Sequence, residues 1–300
     1  MGLLKEGYFI MKKMAFIYIF LAGILWGTSG IFVHFMAPSG FTSLQMTFLR
    51  AIVSFIIMGI YLLFFNKKLF RINLKELIFF ALSGLSFFGT ASCYFFSMQA
   101  TTVSTAVVLM YTAPLFIIIY STIFLGEKIT KPKALTIMCM LIGCGLVSGI
   151  IGGLKFDLVG IVFGLLSGIC YSAYNIFTKI AMRNKSNPFS ATFYCFMFAT
   201  LAGIIMSNPW DIPQCIVVNP TINLPLAIGL GICTCILPYF MYTLALREIP
   251  AGTASALSIL EPMSATMFSV MLLGEKLDLF SICGIVLILG SVFVLSKTEA

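Results

Sequence analysis

The stretch Tyr111-Thr112-Ala113-Pro114, followed by Leu125-Gly126-Glu127-Lys128, has a second copy in Ile259-Leu260-Glu261-Pro262 followed by Leu273-Gly274-Glu275-Lys276. In both copies the glycine comes twelve residues after the proline, and an offset of 148 carries Gly126 onto Gly274. Upstream, the same offset lays Tyr94 on Tyr242, Thr105-Ala106 on Thr253-Ala254 and Leu109 on Leu257. An offset of 145 lays Trp26-Gly27-Thr28-Ser29-Gly30-Ile31-Phe32 on Tyr171-Ser172-Ala173-Tyr174-Asn175-Ile176-Phe177. One half of the chain is therefore a diverged copy of the other, a duplication typical of membrane proteins built from structural repeats.

The composition says where such a chain lives. Hydrophobic residues make up 60%, charged residues 9%, and the mean hydropathy is +1.09. Soluble domains carry roughly a quarter charged residues, so this chain cannot coat a globular surface with polar groups. It holds ten apolar stretches of about the length that crosses a hydrocarbon core. They are Met14–Met36, Ser43–Phe65, Leu74–Met98, Thr102–Leu125, Ala134–Ile151, Leu158–Met182, Phe189–Met206, Leu224–Leu244, Gly252–Leu273 and Leu279–Leu295. The runs are continuous rather than alternating, so helices and not barrel strands must satisfy the backbone. The expected fold is an all-α polytopic membrane protein with ten transmembrane helices. Residues 1–151 and 152–300 form two five-helix repeats around a central cavity. The first stretch is too long for a signal-peptide core and is read as retained. Met11-Lys12-Lys13 would be a normal beginning, which leaves translation starting at Met1 or Met11.

The net charge of +8 does not point to nucleic acid, because the basic residues are placed as in a membrane protein. With the N-terminus inside, fifteen of the eighteen Lys and Arg residues fall in inner segments, while Lys155 and Lys276 fall in outer loops and Arg50 within a span. That asymmetry puts both termini in the cytoplasm. Five spans is an odd number, so the second repeat enters from the opposite side and the halves are inverted. Ser207–Asn223, the longest outer loop, reads as an ordered turn. Eight of the nine cysteines lie in or at the edge of spans and read as buried thiols packing as small apolar groups. Cys233-Thr234-Cys235 has neither the spacing nor the partners of a metal site. No cofactor or metal is expected; lipid is the evident partner, and the protein is a monomer or homodimer.

In a bilayer each polar residue must face protein or water. Ser83, Ser86, Thr90, Tyr94 and Ser97 share one helical face, as do Thr234, Pro238 and Tyr242 in the corresponding helix. Ser167, Tyr171, Tyr174, Asn175 and Thr178 line one broad side of the sixth span. Hydroxyls alone would fit helix–helix contacts. Tyr94, Tyr171, Tyr174 and Tyr242 lie too deep for an interfacial belt and need partners; a shared cavity walled by aromatic rings accounts for them together. Gly23, Gly27 and Gly30, and Gly160, Gly164 and Gly168, have the small-xxx-small spacing of close helix packing.

Glu261 lies roughly 13 to 18 Å from either end of its span, near the midplane, where a carboxylate must be protonated, paired or wetted. Its counterpart in the first half is Ala113, so the acid is not required by the repeat itself. Pro262 removes a ladder bond and is expected to free the carbonyl of Ser258. Glu261 thus reads as a binding or proton-carrying position, the alternative being a structural carboxylate held between helices. Arg50 could snorkel to the outer surface and reads as structural. His34 reads as interfacial. Glu127 and Glu275 end their helices and are expected to serve the N-terminus of the next helix. Gly27-Thr28-Ser29-Gly30 matches the string of intramembrane serine proteases. However, His34 lies about 140° around the helix from Ser29, so nucleophilic catalysis lacks its base and no enzyme is expected.

Trp26-Gly27, Arg50, Tyr94, Pro114 with Leu125-Gly126-Glu127, and Glu261-Pro262 with Leu273-Gly274-Glu275 together resemble the EamA family of the drug/metabolite transporter superfamily, over about Ala15 to Leu295. The resemblance implies an inner-membrane carrier of small organic solutes, often an exporter of amino acids or related metabolites. It implies a cavity lined by Trp26, Ser29, Tyr94, Tyr111, Tyr171, Asn175, Tyr242 and Glu261, with Pro114, Glu127, Pro262 and Glu275 as structural motif residues. The expected mechanism is alternating access, with Glu261 binding an amine or exchanging a proton. Aromatic faces beside one acid suit a cationic or zwitterionic, partly apolar solute. The competing classes are a channel-like permease and a membrane partner protein without transport.

Overall fold

The structure, a computed structural model, describes residues 2–120, 122–123, 126, 130–148, 157–274 and 278–299. Fifteen α-helices are described: α1 (Gly2–Gly27), α2 (Ser29–Met36), α3 (Ser43–Phe65), α4 (Leu74–Ala100), α5 (Val103–Met110), α6 (Ala113–Tyr120), α7 (Lys131–Val147), α8 (Leu158–Arg183), α9 (Pro188–Met206), α10 (Ile212–Val218), α11 (Pro220–Gly231), α12 (Leu237–Glu248), α13 (Ala251–Leu257), α14 (Leu260–Leu273) and α15 (Leu279–Glu299). No strand occurs among the described residues.

Among the described residues, seven helical stretches are long and apolar enough to cross a membrane: Met11–Ser39, Ser43–Phe65, Leu74–Ala100, Leu158–Arg183, Pro188–Met206, Pro220–Glu248 and Ala251–Leu273. Thr105–Tyr120 and Leu279–Leu295 are shorter apolar helices. Side chains such as Ile60, Ile142, Ile204 and Val286 turn outward and are exposed, as a lipid-facing surface requires. The architecture is that of a multi-pass membrane protein.

Several helix starts follow from their capping residues. Thr42 and Gln45 form a reciprocal capping box at the head of α3, and Asn73 and Glu76 do the same for α4. Asp157 accepts the backbone N–H of Gly160 at the head of α8. At the other end of the repeated block, Gly126 and Gly274 both adopt left-handed φ, +67° and +71°. Glycine takes that conformation without steric cost, which is why the Leu-Gly-Glu block carries it twice. Glu127 and Glu275, and the junction 149–156 between the expected halves, lie outside the described residues.

The helices pair in a pattern that recurs when the halves are exchanged. α4 lies along α8, and α1 along α12; α5 and α6 pack on α8, while α14 packs on α1. α3 packs on α9 and α7 on α15. Two crossings involve corresponding residues. A Cβ on Gly23 would come 2.8 Å from the Cβ of Leu260, and one on Gly168 would come 3.0 Å from Oγ1 of Thr112. At these crossings the spaced glycines do serve close backbone approach.

Four of the apolar stretches are interrupted. The first breaks at Thr28, whose hydroxyl donates to the carbonyl of Leu25 at 2.6 Å. The fourth breaks at Tyr111–Thr112 and the ninth at Ser258–Ile259. Both breaks leave Pro114 and Pro262 in the first turn of α6 and α14, where a missing N–H costs least. The eighth carries a π turn over Ile232–Ile236 just ahead of Pro238. The expectation of a free Ser258 carbonyl is corrected here: the helix restarts, and the backbone N–H of Glu261 donates to that carbonyl at 3.0 Å.

Candidate functional site

Between these helices lies a cavity of about 550 Å³. Trp26, Ser29, Tyr94, Tyr111, Tyr171 and Glu261 all line it, together with Pro262, Thr90 and Tyr174. Asn175 and Tyr242 do not. Both are fully buried behind the wall, where the Tyr242 hydroxyl donates to Asn175 Oδ1 and Asn175 Nδ2 donates to the Tyr171 carbonyl at 2.7 Å. Their polarity is satisfied inside the protein, and through Asn175 they back Tyr171. Pro114 is buried at the head of α6 and does not line the cavity.

The restart of α14 positions Glu261. Its carboxyl stands in the first turn of a helix, where the unpaired N–H groups and the dipole favour negative charge. The Tyr111 hydroxyl, at the corresponding break between α5 and α6, donates to Glu261 Oε2 at 2.8 Å. One interrupted helix thus supplies the acid and its counterpart supplies the donor. Beside them, the Tyr171 hydroxyl donates to Ser258 Oγ at 2.9 Å, and Ser258 Oγ in turn donates to the Ser255 carbonyl at 2.6 Å. This chain of bonds ties α8 to the break in the ninth stretch.

An aromatic group forms a further part of the wall. Tyr239 meets Trp26 edge-on with ring centroids 5.1 Å apart, Phe87 at 5.0 Å and Tyr174 at 5.5 Å. The sequence reading did not single out Tyr239 or Phe87. It also took Arg50 for a structural residue, whereas its side chain lines the cavity and its guanidinium lies 5.2 Å from the Phe87 ring centroid. The signal was present: Ser43, Thr47, Arg50 and Ser54 recur at helical spacing on one side of α3. Ser54 proves to bond backbone instead, at the Arg50 and Gly231 carbonyls. His34 is exposed at the end of α2, away from the cavity lining. Gly30 does line it, and a Cβ there would meet nothing within 4 Å.

The cavity has an open and a closed end. Ser43, Met98, Val103 and Ser148, which line it, belong to the ends of α3, α4, α5 and α7. Past Glu261 in the other direction, every residue of α13 is buried. At that closed end Lys179 Nζ donates to the carbonyls of Leu246 and Ile249, at 2.6 and 2.7 Å, capping the last turn of α12. Among the described residues no cluster of His, Cys, Asp or Glu could hold a metal ion.

Interrupted helices around an enclosed mid-depth space are a recurring feature of membrane carriers, and comparison with known proteins gives the family. The profile of the EamA-like transporter family matches twice, over residues 13–149 and 158–297. The chain belongs to that family, whose members are transporters rather than enzymes. It is similar to an uncharacterized transporter of Archaeoglobus fulgidus, 28% identical over 278 residues, covering 92% of this chain and 94% of that one. It is also similar, over a shorter region, to the pseudopaline exporter CntI of Pseudomonas aeruginosa, 24% identical across 40% of this chain and 42% of the other. A solved crystal structure superposes with a TM-score of 0.77 over 95% of this chain and 97% of that one, at 18% identity, a likeness of fold.

Proposed function

We propose that the protein is a secondary transporter that exports a small organic metabolite across the cytoplasmic membrane by alternating access. The solute is an amino acid or a related cationic or zwitterionic, partly aromatic compound. The observation that carries this reading is Glu261, held at a helix break in the cavity wall and contacted by Tyr111 from the counterpart break.

Two inverted five-helix halves, 1–151 and 152–300, are the moving parts. Support comes from the helix pairings that recur on exchange of the halves, and from the two separate stretches matched by the family profile. The placement of basic residues supports termini in the cytoplasm, which makes the open end of the cavity the outer one. The solute lies among Trp26, Tyr94 and Tyr171 with its amine at Glu261, and that carboxyl takes a proton when the amine leaves. Export accords with the name of the CntI relative.

The test is transport in proteoliposomes. A carrier gives saturable flux and counterflow, and Glu261→Gln abolishes transport or its pH dependence. Flux and pH response that survive Glu261→Gln unchanged would remove the residue from the mechanism, and unsaturable flux would make the protein a channel.

A further inference from the structure

We infer that Arg50 is the carboxylate-binding subsite of the cavity, so that the solute is a zwitterion gripped at both ends, ammonium at Glu261 and carboxylate at Arg50. The inference rests on the transporter reading above and narrows its substrate class to compounds with the charge pattern of a free amino acid.

Among the described residues the cavity lining contains one acidic side chain, Glu261, and one basic side chain, Arg50. No hydrogen bond or salt bridge joins them, although they lie near enough to interact electrostatically. Glu261 accepts its bond from Tyr111, and Arg50 Nε is buried with no hydrogen-bond partner. A buried N–H left unpaired is costly, and a charged group doubly so. Two opposite charges that share a wall without pairing make an arrangement that a dipolar solute completes.

The side chain is also prepared for that partner. The guanidinium lies over the Phe87 ring at 5.2 Å from its centroid, a cation–π contact that helps hold the side chain in the wall. A guanidinium presents a planar fork that matches the two oxygens of a carboxylate. Arg50 faces the cavity with Ser43, Met46 and Thr47 of the same helix, so it stands towards the open end, the side by which an exported solute leaves. Trp26 Nε1, a second buried donor without a partner, belongs to the same wall. An arginine that merely snorkelled to the surface would keep Nε in water; this one does not.

The test uses the full chain in lipid nanodiscs and three probes. These are an equimolar mixture of the protein amino acids, the matching mixture of their amides, which keep the amine and lose the carboxylate, and the matching N-acetyl derivatives, which do the reverse. Thermal stabilisation is titrated for wild type, Arg50→Gln, Arg50→Lys and Glu261→Gln. Wild type should bind the amino acids at least about tenfold more tightly than either derivative, the scale of one charge-assisted bond. Arg50→Gln should erase the preference for amino acids over amides, Arg50→Lys should restore part of it, and Glu261→Gln should erase the preference over N-acetyl compounds.

Equal binding of amino acids and amides by wild type would overturn the inference. So would an Arg50→Gln preference the same as that of wild type, or selectivity for N-acetyl compounds, which would mark a simple anion site. Counterflow of the same mixtures separates the two levels. Saturable exchange that ignores the carboxylate sinks the subsite and leaves the transporter; absence of binding and exchange for every mixture sinks both.

Discussion

Gly27 gives the sharpest link between packing and the site. It lies where α1 crosses α14, and a Cβ there would fall 2.6 Å from the Cβ of Ser264 and 2.8 Å from the backbone nitrogen of Ala265. Ordinary contact begins at 3.4 Å, so Gly27→Ala forces α14 to withdraw by about 0.8 Å. Overpacking of that kind costs about 1–3 kcal/mol, or roughly 2–10 °C in melting temperature for a chain of this size. Ser264 is one turn beyond Glu261, so the same shift loosens the 2.8 Å contact between Glu261 and Tyr111. Transport should therefore fall as well. Gly30→Ala is the control, because a Cβ at that position meets nothing within 4 Å. The assay is thermal unfolding of the purified protein in detergent, followed by flux in proteoliposomes. If Gly27→Ala melts with wild type, or if Gly30→Ala is destabilised equally, the reasoning from backbone approach is wrong.

Other substitutions probe separate parts of the account. Tyr111→Phe removes the donor to Glu261 Oε2, worth about 1–3 kcal/mol, and should raise the KM for an amine-bearing solute about tenfold; an unchanged KM would show that the bond is idle. Asn175→Ala strands the buried Tyr242 hydroxyl and the Tyr171 backing, so unfolding should be easier by about 1–3 kcal/mol, whereas a cavity-lining role would lower solute affinity without a stability loss. Lys179→Met uncaps the carbonyls of Leu246 and Ile249 and should speed hydrogen exchange across Ala251–Leu257; unaltered protection there would mean that the cap does not hold the closed end.

What could be read from the sequence depended on whether the physical cause was local. The breaks in the fourth and ninth stretches were marked by Pro114 and Pro262, because proline acts on its own helix wherever it stands. The break at Thr28 has no such marker, whereas the π turn over Ile232–Ile236 runs straight into Pro238, whose missing N–H and ring disturb the preceding turn. Tyr94, Tyr171 and Glu261 were legible because a polar or amphipathic side chain at mid-depth needs an explanation wherever lipid surrounds it, whereas Trp26, Ser29 and Tyr111 came only with the family resemblance. The same rule brought in Asn175 and Tyr242, which lie behind the lining and bond each other, since one sequence does not reveal which buried polar groups are partners. Arg50 was missed for the opposite reason. Its depth suggested an escape route to the surface, and only the packing of α3 against Phe87 shows that it turns inward.

The central claim is a chamber around Glu261 that opens to each side of the membrane in turn. Ala265 lies one turn from Glu261 in its wall. A single cysteine at Ala265, in a variant with the nine native cysteines replaced, can be challenged with an impermeant thiol reagent in right-side-out and inside-out vesicles. The account predicts reaction from both faces, slowed by bound solute. Reaction from one face alone, or from neither, would contradict it.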